Sequence, residues 1–174
     1  MKMSWTILAV SAAALACTAI AARAEQIDLP ARKPGLWQMK VTPKPAKVGP
    51  QMVAQLCLDA ASDKTLMQYG LATVSSCTMD WSRDDTGGYV FDVACDIMGQ
   101  KSKSHGVLSG DFQSHYVLDV VTESQGDDPA APDLSGITQE ATWVGVCAEG
   151  TKAGDMMLPG GRTINLLNMM RSGG

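Results

Sequence analysis

The sequence lacks the short motifs that mark the common catalytic and cofactor sites of proteins. Its 174 residues contain no C-x-x-C, no G-x-S-x-G, no H-E-x-x-H, no P-loop and no G-x-G-x-x-G. These absences count against a thioredoxin-like redox centre, attached haem, a zinc ribbon, a hydrolase nucleophile elbow and a bound dinucleotide. Histidine is scarce too, since only His105 and His115 occur and both fall on faces predicted to point into solvent. We therefore predict no catalytic residue and no cofactor.

Charged residues are also few, at 18%, and they give a formal net charge of −4 with the basic residues scattered along the chain. An acidic surface repels phosphate backbones, and no polybasic segment is present to hold an anionic membrane. We therefore predict no nucleic-acid partner. The apolar fraction of 45% is enough for one compact domain.

The N-terminal stretch, residues 1–24, has the composition of a signal peptide. Lys2 supplies the positive start, residues 7–22 are almost all small or apolar, and an A-x-A cleavage pattern ends at Ala24. A membrane anchor is the alternative, but the apolar run is short and leads directly into charged and polar residues. We expect cleavage near Ala24, a single domain over residues 25–174 without a transmembrane segment, and a periplasmic or secreted location.

A cysteine inside this leader raises a second alternative, lipidation. Cys17 follows Leu15 and Ala16, as in a lipoprotein signal, but Ala14 stands where that signal has a large aliphatic residue. Our prediction remains cleavage near Ala24, with lipidation at Cys17 left open.

The remaining four cysteines predict two disulfides. An even number of cysteines in an exported chain is typical of a disulfide framework, and four of them allow three connectivities. One pairing follows from the turn-forming residues 84–88, which centre a β-hairpin that places Cys77 opposite Cys95. Directly opposed strand residues lie close enough for a disulfide. The second disulfide then joins Cys57 to Cys147.

Alternating apolar and polar residues predict a mainly β protein. The clearest case is residues 89–98, where every second side chain from Tyr89 to Ile97 is apolar. We expect about seven strands in a curled antiparallel meander, either a half-barrel or a sandwich, with one or two short helices.

Further local predictions concern register, loops and the C-terminal end. A tight turn at residues 99–100 is predicted to place Phe91 opposite Leu108, and Asp96 opposite Lys103, on the next strand. Residues 126–136 have loop composition, and residues 163–171 are predicted to form a terminal helix.

A short motif and the spacing of the cysteines form one distinctive pattern. It consists of Arg32-Lys33-Pro34-Gly35-Leu36-Trp37, then Leu56-Cys57-Leu58, Cys77, Cys95 and Cys147. This pattern resembles the exported bacterial proteins of the domain of unknown function 3617 family, over most of the chain after residue 24. The resemblance implies an exported bacterial envelope protein, and it brings no established activity and no catalytic residue.

Aromatic residues make up only 5% of the chain, and several share the face predicted to point inward. They are Trp37, Trp81, Phe91, Tyr116 and Trp143. Such a face either fills a core or lines a cavity, and a curled antiparallel sheet can hold one apolar ligand. These residues are our candidates to face a hydrophobic small molecule or a lipid.

Two further clusters contain side chains of types that bind metal ions, although we predict no metal site. Asp80 and Asp92 are expected to face each other with Asp96 nearby, and a cation would relieve their repulsion, but the spacing matches no calcium loop. The methionine pairs at residues 156–157 and 169–170 are of a type that binds copper(I), and such pairs are also ordinary core filling.

The function predicted from the sequence is that of a binding or interaction module of the cell envelope, with an apolar small molecule or lipid as one candidate ligand. The alternatives are an enzyme with no recognisable motif and a metal-binding protein. An enzyme predicts a cleft holding a carboxylate or histidine whose pKa is strongly shifted, whereas a binding module predicts a ligand or partner without turnover.

Overall fold

The structure, a computed structural model, describes residues 27–45, 49–69, 76–125 and 133–172. The predicted signal peptide lies outside these residues, as does most of the predicted loop at 126–136. Within the described residues the chain forms nine strands and two short helices. They are β1 (Gly35–Lys44), β2 (Met52–Leu58), α1 (Ala60–Tyr69), β3 (Cys77–Arg83), β4 (Tyr89–Ile97), β5 (Gln100–Gly110), β6 (His115–Ser124), β7 (Asp133–Gly145), β8 (Asp155–Met157), β9 (Thr163–Asn165) and α2 (Leu166–Ser172).

The strands form one antiparallel sheet in the order β3-β4-β5-β6-β7-β1-β2-β8-β9, and the sheet is not closed. The predicted mainly β, antiparallel fold with short helices is confirmed, and of the two architectures offered a single open sheet corresponds to the half-barrel. The structure adds two strands to the seven predicted. Both are three residues long, which is too short for a period-two pattern to be read from the sequence.

The sheet is curved, and its concave face holds the apolar core. Trp81 on β3 and Leu56 on β2 are far apart in the strand order, yet they border the same interior space. The two helices lie over this face and contact each other. The buried core residues are Trp37, Met39, Leu56, Leu58, Leu66, Leu108, Phe112, Tyr116 and Ala141.

The register of the β4–β5 hairpin differs from the prediction by two residues. The structure turns at Met98 and Gly99, whose φ values of 53° and 86° are those of a type I′ turn, one residue earlier than predicted. Phe91 is therefore opposite Gly106 and not Leu108. Because a shift of two preserves the face on which each side chain lies, the apolar residues still point inward.

The ends of two other elements also differ from the prediction. β7 already begins at Asp133, inside the predicted loop, because residues 133–136 pair with β6. The predicted terminal helix is divided into β9 and the shorter α2.

Two disulfides hold the sheet. Cys77 pairs with Cys95, directly opposed on β3 and β4, and Cys57 on β2 pairs with Cys147, which follows β7. The second disulfide therefore ties together segments 90 residues apart in the sequence.

Candidate functional site

An apolar cavity of about 420 Å³ lies between the concave face of the sheet and the two helices, and it is partly open to solvent. Its volume is within the range of roughly 300–1,000 Å³ that is typical of small-molecule pockets. The sheet side includes Leu56, Leu108 and Leu118, and the helix side includes Leu66 and Leu166. The site is therefore a mostly hydrophobic space between two elements of secondary structure.

Three of the five aromatic candidates line this cavity: Trp81, Phe91 and Tyr116. The rings of Trp81 and Phe91 lie 5.0 Å apart and tilted by 51°, as expected for opposed residues on β3 and β4. The Phe91 ring lies over Gly106, where a Cβ atom would come within 2.0 Å of the ring. Because Gly106 has no side chain, the phenyl ring of Phe91 can occupy the space above it on this side of the cavity.

The other two candidates lie elsewhere. Trp37 is fully buried in the core, with its ring 5.3 Å from that of Tyr116. Trp143 is half-buried, and the ammonium group of Lys33 lies 3.5 Å above its ring. Neither tryptophan belongs to the cavity lining, so the structure separates the five residues into a cavity group and a supporting group.

One end of the cavity is polar and is built around Arg32, which is only 8% exposed. The Nε of Arg32 donates to Oδ1 of Asp63 on α1, and the backbone N–H of Arg32 donates to Oδ2 at 2.9 Å. The guanidinium NH1 also donates to the hydroxyl of Tyr116 at 3.0 Å, and Nε2 of Gln139 lies 3.4 Å from the same hydroxyl oxygen. This buried network places a cation, a phenol and an amide at one end of an apolar space.

The charge of Arg32 is stabilised despite its burial. Burial is the largest single influence and lowers the pKa of Arg32, but the interactions with Tyr116 and Asp63 raise it by more, so that the pKa lies above its ordinary value. Arg32 therefore lines the cavity as a permanent cation whose charge is already balanced by the carboxylate of Asp63.

Helix α1 is fixed so that it presents Asp63 to Arg32. Asp59 caps the helix, because its Oδ1 accepts from the backbone N–H of Ser62 at 2.7 Å while its own N–H donates to the Ser62 hydroxyl at 2.9 Å. The hydrogen bonds that the Asp59 carboxylate receives from the backbone and side chain of Ser62 lower the pKa of Asp59. Asp63 lies in the first turn, where a negative charge is favoured by the helix dipole.

Helix α2 is fixed by contacts to the start of β8 and to the turn before it. Asn165 caps it, since its Oδ1 accepts from the N–H of Asn168 and its amide donates to Asp155 at 2.8 Å. Gly154 lies directly against Leu167, because a Cβ atom at this position would be 2.8 Å from that side chain. The methionine-bearing face of α2 is thereby held over the cavity.

The segment before β1 lies beside the polar end and is held there by hydrogen bonds and close packing. The indole N–H groups of Trp37 and Trp143 donate to the carbonyls of Lys33 and Pro34, at 2.8 and 3.1 Å. Gly35 has a φ of 133°, and a Cβ atom there would lie 2.4 Å from a backbone oxygen. The sequence motif that carries the family resemblance is thus explained by packing from Lys33 onward, while Arg32 reaches the cavity.

Residues 32–147 match the family described as protein of unknown function (DUF3617). The chain belongs to the DUF3617 family. No curated protein and no solved structure matches it.

The DUF3617 match includes the polar end and most of the sheet side of the cavity, from Arg32 through Tyr116 to Gln139. The helix α2 side lies beyond residue 147, with Met156, Leu166, Met169 and Met170 bordering the cavity. The site in this family member is therefore completed by residues outside the matched region.

Several residues that line or support the cavity were not predicted from the sequence. No sequence pattern marks Arg32 or Gln139 as buried. Asp63 has a position that is ordinary for an acidic residue, in the first turn of a helix. The methionines gave a partial signal: Met156 and the pair at residues 169–170 lie in the cavity wall, where Met39 and Met67 join them. Copper binding at these thioethers stays an untested alternative.

The acidic cluster lies on the opposite, outer face of the sheet. Asp80 faces Asp92 as predicted, and Nδ1 of His105 lies 2.9 Å from the Asp92 carboxylate. Because of the shifted register, Asp96 is opposite Lys101 and not Lys103. Among the described residues, no three His, Cys, Asp or Glu side chains are grouped so as to hold a metal ion.

The strongest shift of a carboxylate pKa belongs to a turn. Asp111 has a pKa far below its ordinary value, because its carboxylate accepts from the backbone N–H of His115 and from the hydroxyl and N–H of Ser114. This turn joins β5 to β6 and carries Phe112, whose ring stacks on Tyr116 at 5.6 Å. Asp111 therefore supports the cavity from outside.

Neither helix in the described part of the chain has the length and apolar character needed to cross a membrane.

Proposed function

We propose that this DUF3617 protein binds an apolar small molecule in the cavity between its sheet and its helices. The observation that carries the proposal is the cavity itself, an apolar space of about 420 Å³ with one polar end formed by Arg32, Tyr116 and Gln139. Mostly hydrophobic walls with a few convergent polar groups are the usual composition of a small-molecule site.

The walls of the cavity favour a ligand of adaptable shape. Five of the lining residues are methionines, whose unbranched and polarizable side chains fit irregular apolar surfaces. They are Met39, Met67, Met156, Met169 and Met170. Met169 is 56% exposed, so part of this wall borders solvent and offers a route of entry.

The protein is also proposed to act outside the cytoplasm, after loss of residues 1–24. Two disulfides support this location, because such bonds persist in oxidising compartments. The mass of the protein recovered from the periplasm tests it: we expect a chain that starts after Ala24 with both disulfides formed. A chain that keeps residues 1–24, or that carries free thiols, contradicts export.

Binding is tested with aminoanthracene, an uncharged aromatic fluorophore whose emission rises in apolar surroundings. The wild-type protein is expected to bind one molecule. Leu118→Trp should weaken the affinity by about tenfold or more, because the larger side chain fills the cavity. Met170→Trp blocks the cavity from α2 and serves as the second variant if the first does not fold.

The matched control is Val117→Trp on the same strand. Val117 neighbours Leu118 and therefore projects from the opposite face of the sheet. We expect its affinity to stay within about twofold of wild type. Absence of binding to the wild type, or equal loss in the cavity and control variants, contradicts the proposal.

A further inference from the structure

The hydrogen bonds at the polar end of the cavity restrict the chemistry of the ligand. The hydroxyl oxygen of Tyr116 accepts from NH1 of Arg32 at 3.0 Å and from Nε2 of Gln139 at 3.4 Å. A phenolic hydroxyl has one hydrogen to donate and two lone pairs that accept. Since both lone pairs are engaged, the capacity left to Tyr116 is that of a donor. A guanidinium never accepts, so a ligand atom held by the O–H of Tyr116 or by Arg32 must be an acceptor.

The charges at this end restrict the ligand further. The carboxylate of Asp63 already neutralises the guanidinium of Arg32 by accepting from its Nε, and it accepts a second hydrogen bond from the backbone N–H of Arg32; both side chains are buried. Among the described residues that line the cavity, Arg32 is the only cation. A ligand carboxylate would add a second negative charge beside Asp63 without a cation of its own, and such a charge is costly to bury.

We propose that the polar end selects an uncharged hydrogen-bond acceptor on an otherwise apolar ligand, such as a hydroxyl, ester or ketone oxygen, held by the O–H of Tyr116. This inference rests on the proposed function, because it names the ligand class of the same cavity. The apolar part of the ligand lies against the methionine and leucine side chains, and the oxygen fixes its orientation.

The experiment compares three ligands that share a ten-carbon chain: decane, decanol and ionised decanoate. Each is titrated to displace aminoanthracene from the wild-type protein and from Tyr116→Phe at mildly alkaline pH. Decanol is expected to displace the fluorophore more effectively than decanoate does. Tyr116→Phe should weaken decanol binding by about fivefold and leave decane binding unchanged, since only the alcohol loses a hydrogen bond.

Tyr89→Phe is a matched control. The hydroxyl of Tyr89 also accepts from an arginine, Arg83, at 2.9 Å, but Tyr89 does not belong to the cavity lining. Its removal is expected to change none of the three affinities. This control separates the loss of a phenolic hydroxyl in general from its loss at the polar end.

The outcomes distinguish the two proposals. Tightest binding by decanoate, or an equal effect of Tyr116→Phe on decanol and decane, overturns the selection of an uncharged acceptor while leaving a binding cavity in place. Failure of the fluorophore and all three ligands to bind overturns the proposed function itself. If Tyr116→Phe does not fold, the wild-type protein still tests the inference, because tighter binding of decanoate than of decanol overturns it.

Discussion

The polar end of the cavity and the methionines of its lining differ in chemistry. At the polar end, Arg32, Asp63 and Tyr116 form a buried network in which direction and distance are fixed by hydrogen bonds. The methionines, which come from β1, β8, α1 and α2, make contacts that have no preferred direction. Orientation and capacity are therefore provided separately: the polar end sets how a ligand lies, and the methionines set what shapes fit.

The polar network and the methionines should therefore respond differently to substitution. A change in the buried network leaves a charge or a polar atom without its partner, so it affects folding as well as binding. A change among the methionines is absorbed by neighbouring flexible side chains, so it affects folding little.

The largest effect is expected from breaking the ion pair at the polar end. Asp63→Asn leaves the buried Arg32 without a counter-charge, which should lower the free energy of unfolding by about 3 kcal/mol. Urea unfolding measures it. The control is Glu140→Gln, whose exposed pair with Lys40 should contribute less than about 1 kcal/mol. Equal losses in the two variants would show that the buried pair has no special role.

The next effect is expected where the sheet makes room for an aromatic ring. Gly106→Ala places a methyl group against Phe91 and pushes the ring toward the cavity, at a cost of about 2 kcal/mol in unfolding free energy and with weaker aminoanthracene binding. Ser102→Ala on the same strand and face is the control, with a change within about 0.5 kcal/mol. Unchanged binding in Gly106→Ala would mean that this side does not contact the ligand.

A smaller effect is expected among the cavity methionines. Met67→Leu conserves volume, so its unfolding free energy should change by less than about 1 kcal/mol. The preference for decanol over decanoate should persist, because the substitution removes none of the hydrogen bonds of the polar end. A lost preference in this variant would contradict the separation of orientation from capacity.

The smallest effect concerns pH and the turn that supports Tyr116. The pKa of Asp111 is lowered in the folded protein, so its contribution to stability is present above the unfolded pKa of about 4 and is lost as pH falls further. The stability difference between wild type and Asp111→Asn should therefore shrink on acidification from about pH 7 to about pH 3. A difference that stays constant with pH would show that the carboxylate charge is not the source.

The fold was largely predictable because its signals are local. The turn residues 84–88 centre the β3–β4 hairpin, and the opposition of Cys77 to Cys95 follows from that centre alone. The register of the next hairpin was predicted wrongly by two residues because Met98 adopts a positive φ. Such a conformation is uncommon for a residue other than glycine, and the identity of the side chain does not predict it.

The cavity was only partly predictable because it depends on contacts between distant residues. Trp81 and Phe91 could be placed on an inward face by alternation, but alternation cannot tell a filled core from a cavity wall. Arg32 becomes a cavity residue only when α1 brings Asp63 to it from 31 positions away. Such a pairing has no period or motif by which it could be read from one sequence.

The most direct test of the binding cavity is methyl NMR of the protein with labelled methionines, titrated with aminoanthracene. The aromatic rings of bound aminoanthracene shift the NMR signals of nearby methyl groups. We predict shifts at the cavity methionines 39, 67, 156, 169 and 170, with Met79, Met98 and Met157 unchanged. Shifts centred on the exposed Met98 or spread evenly over all methionines would contradict a ligand site between the sheet and the helices.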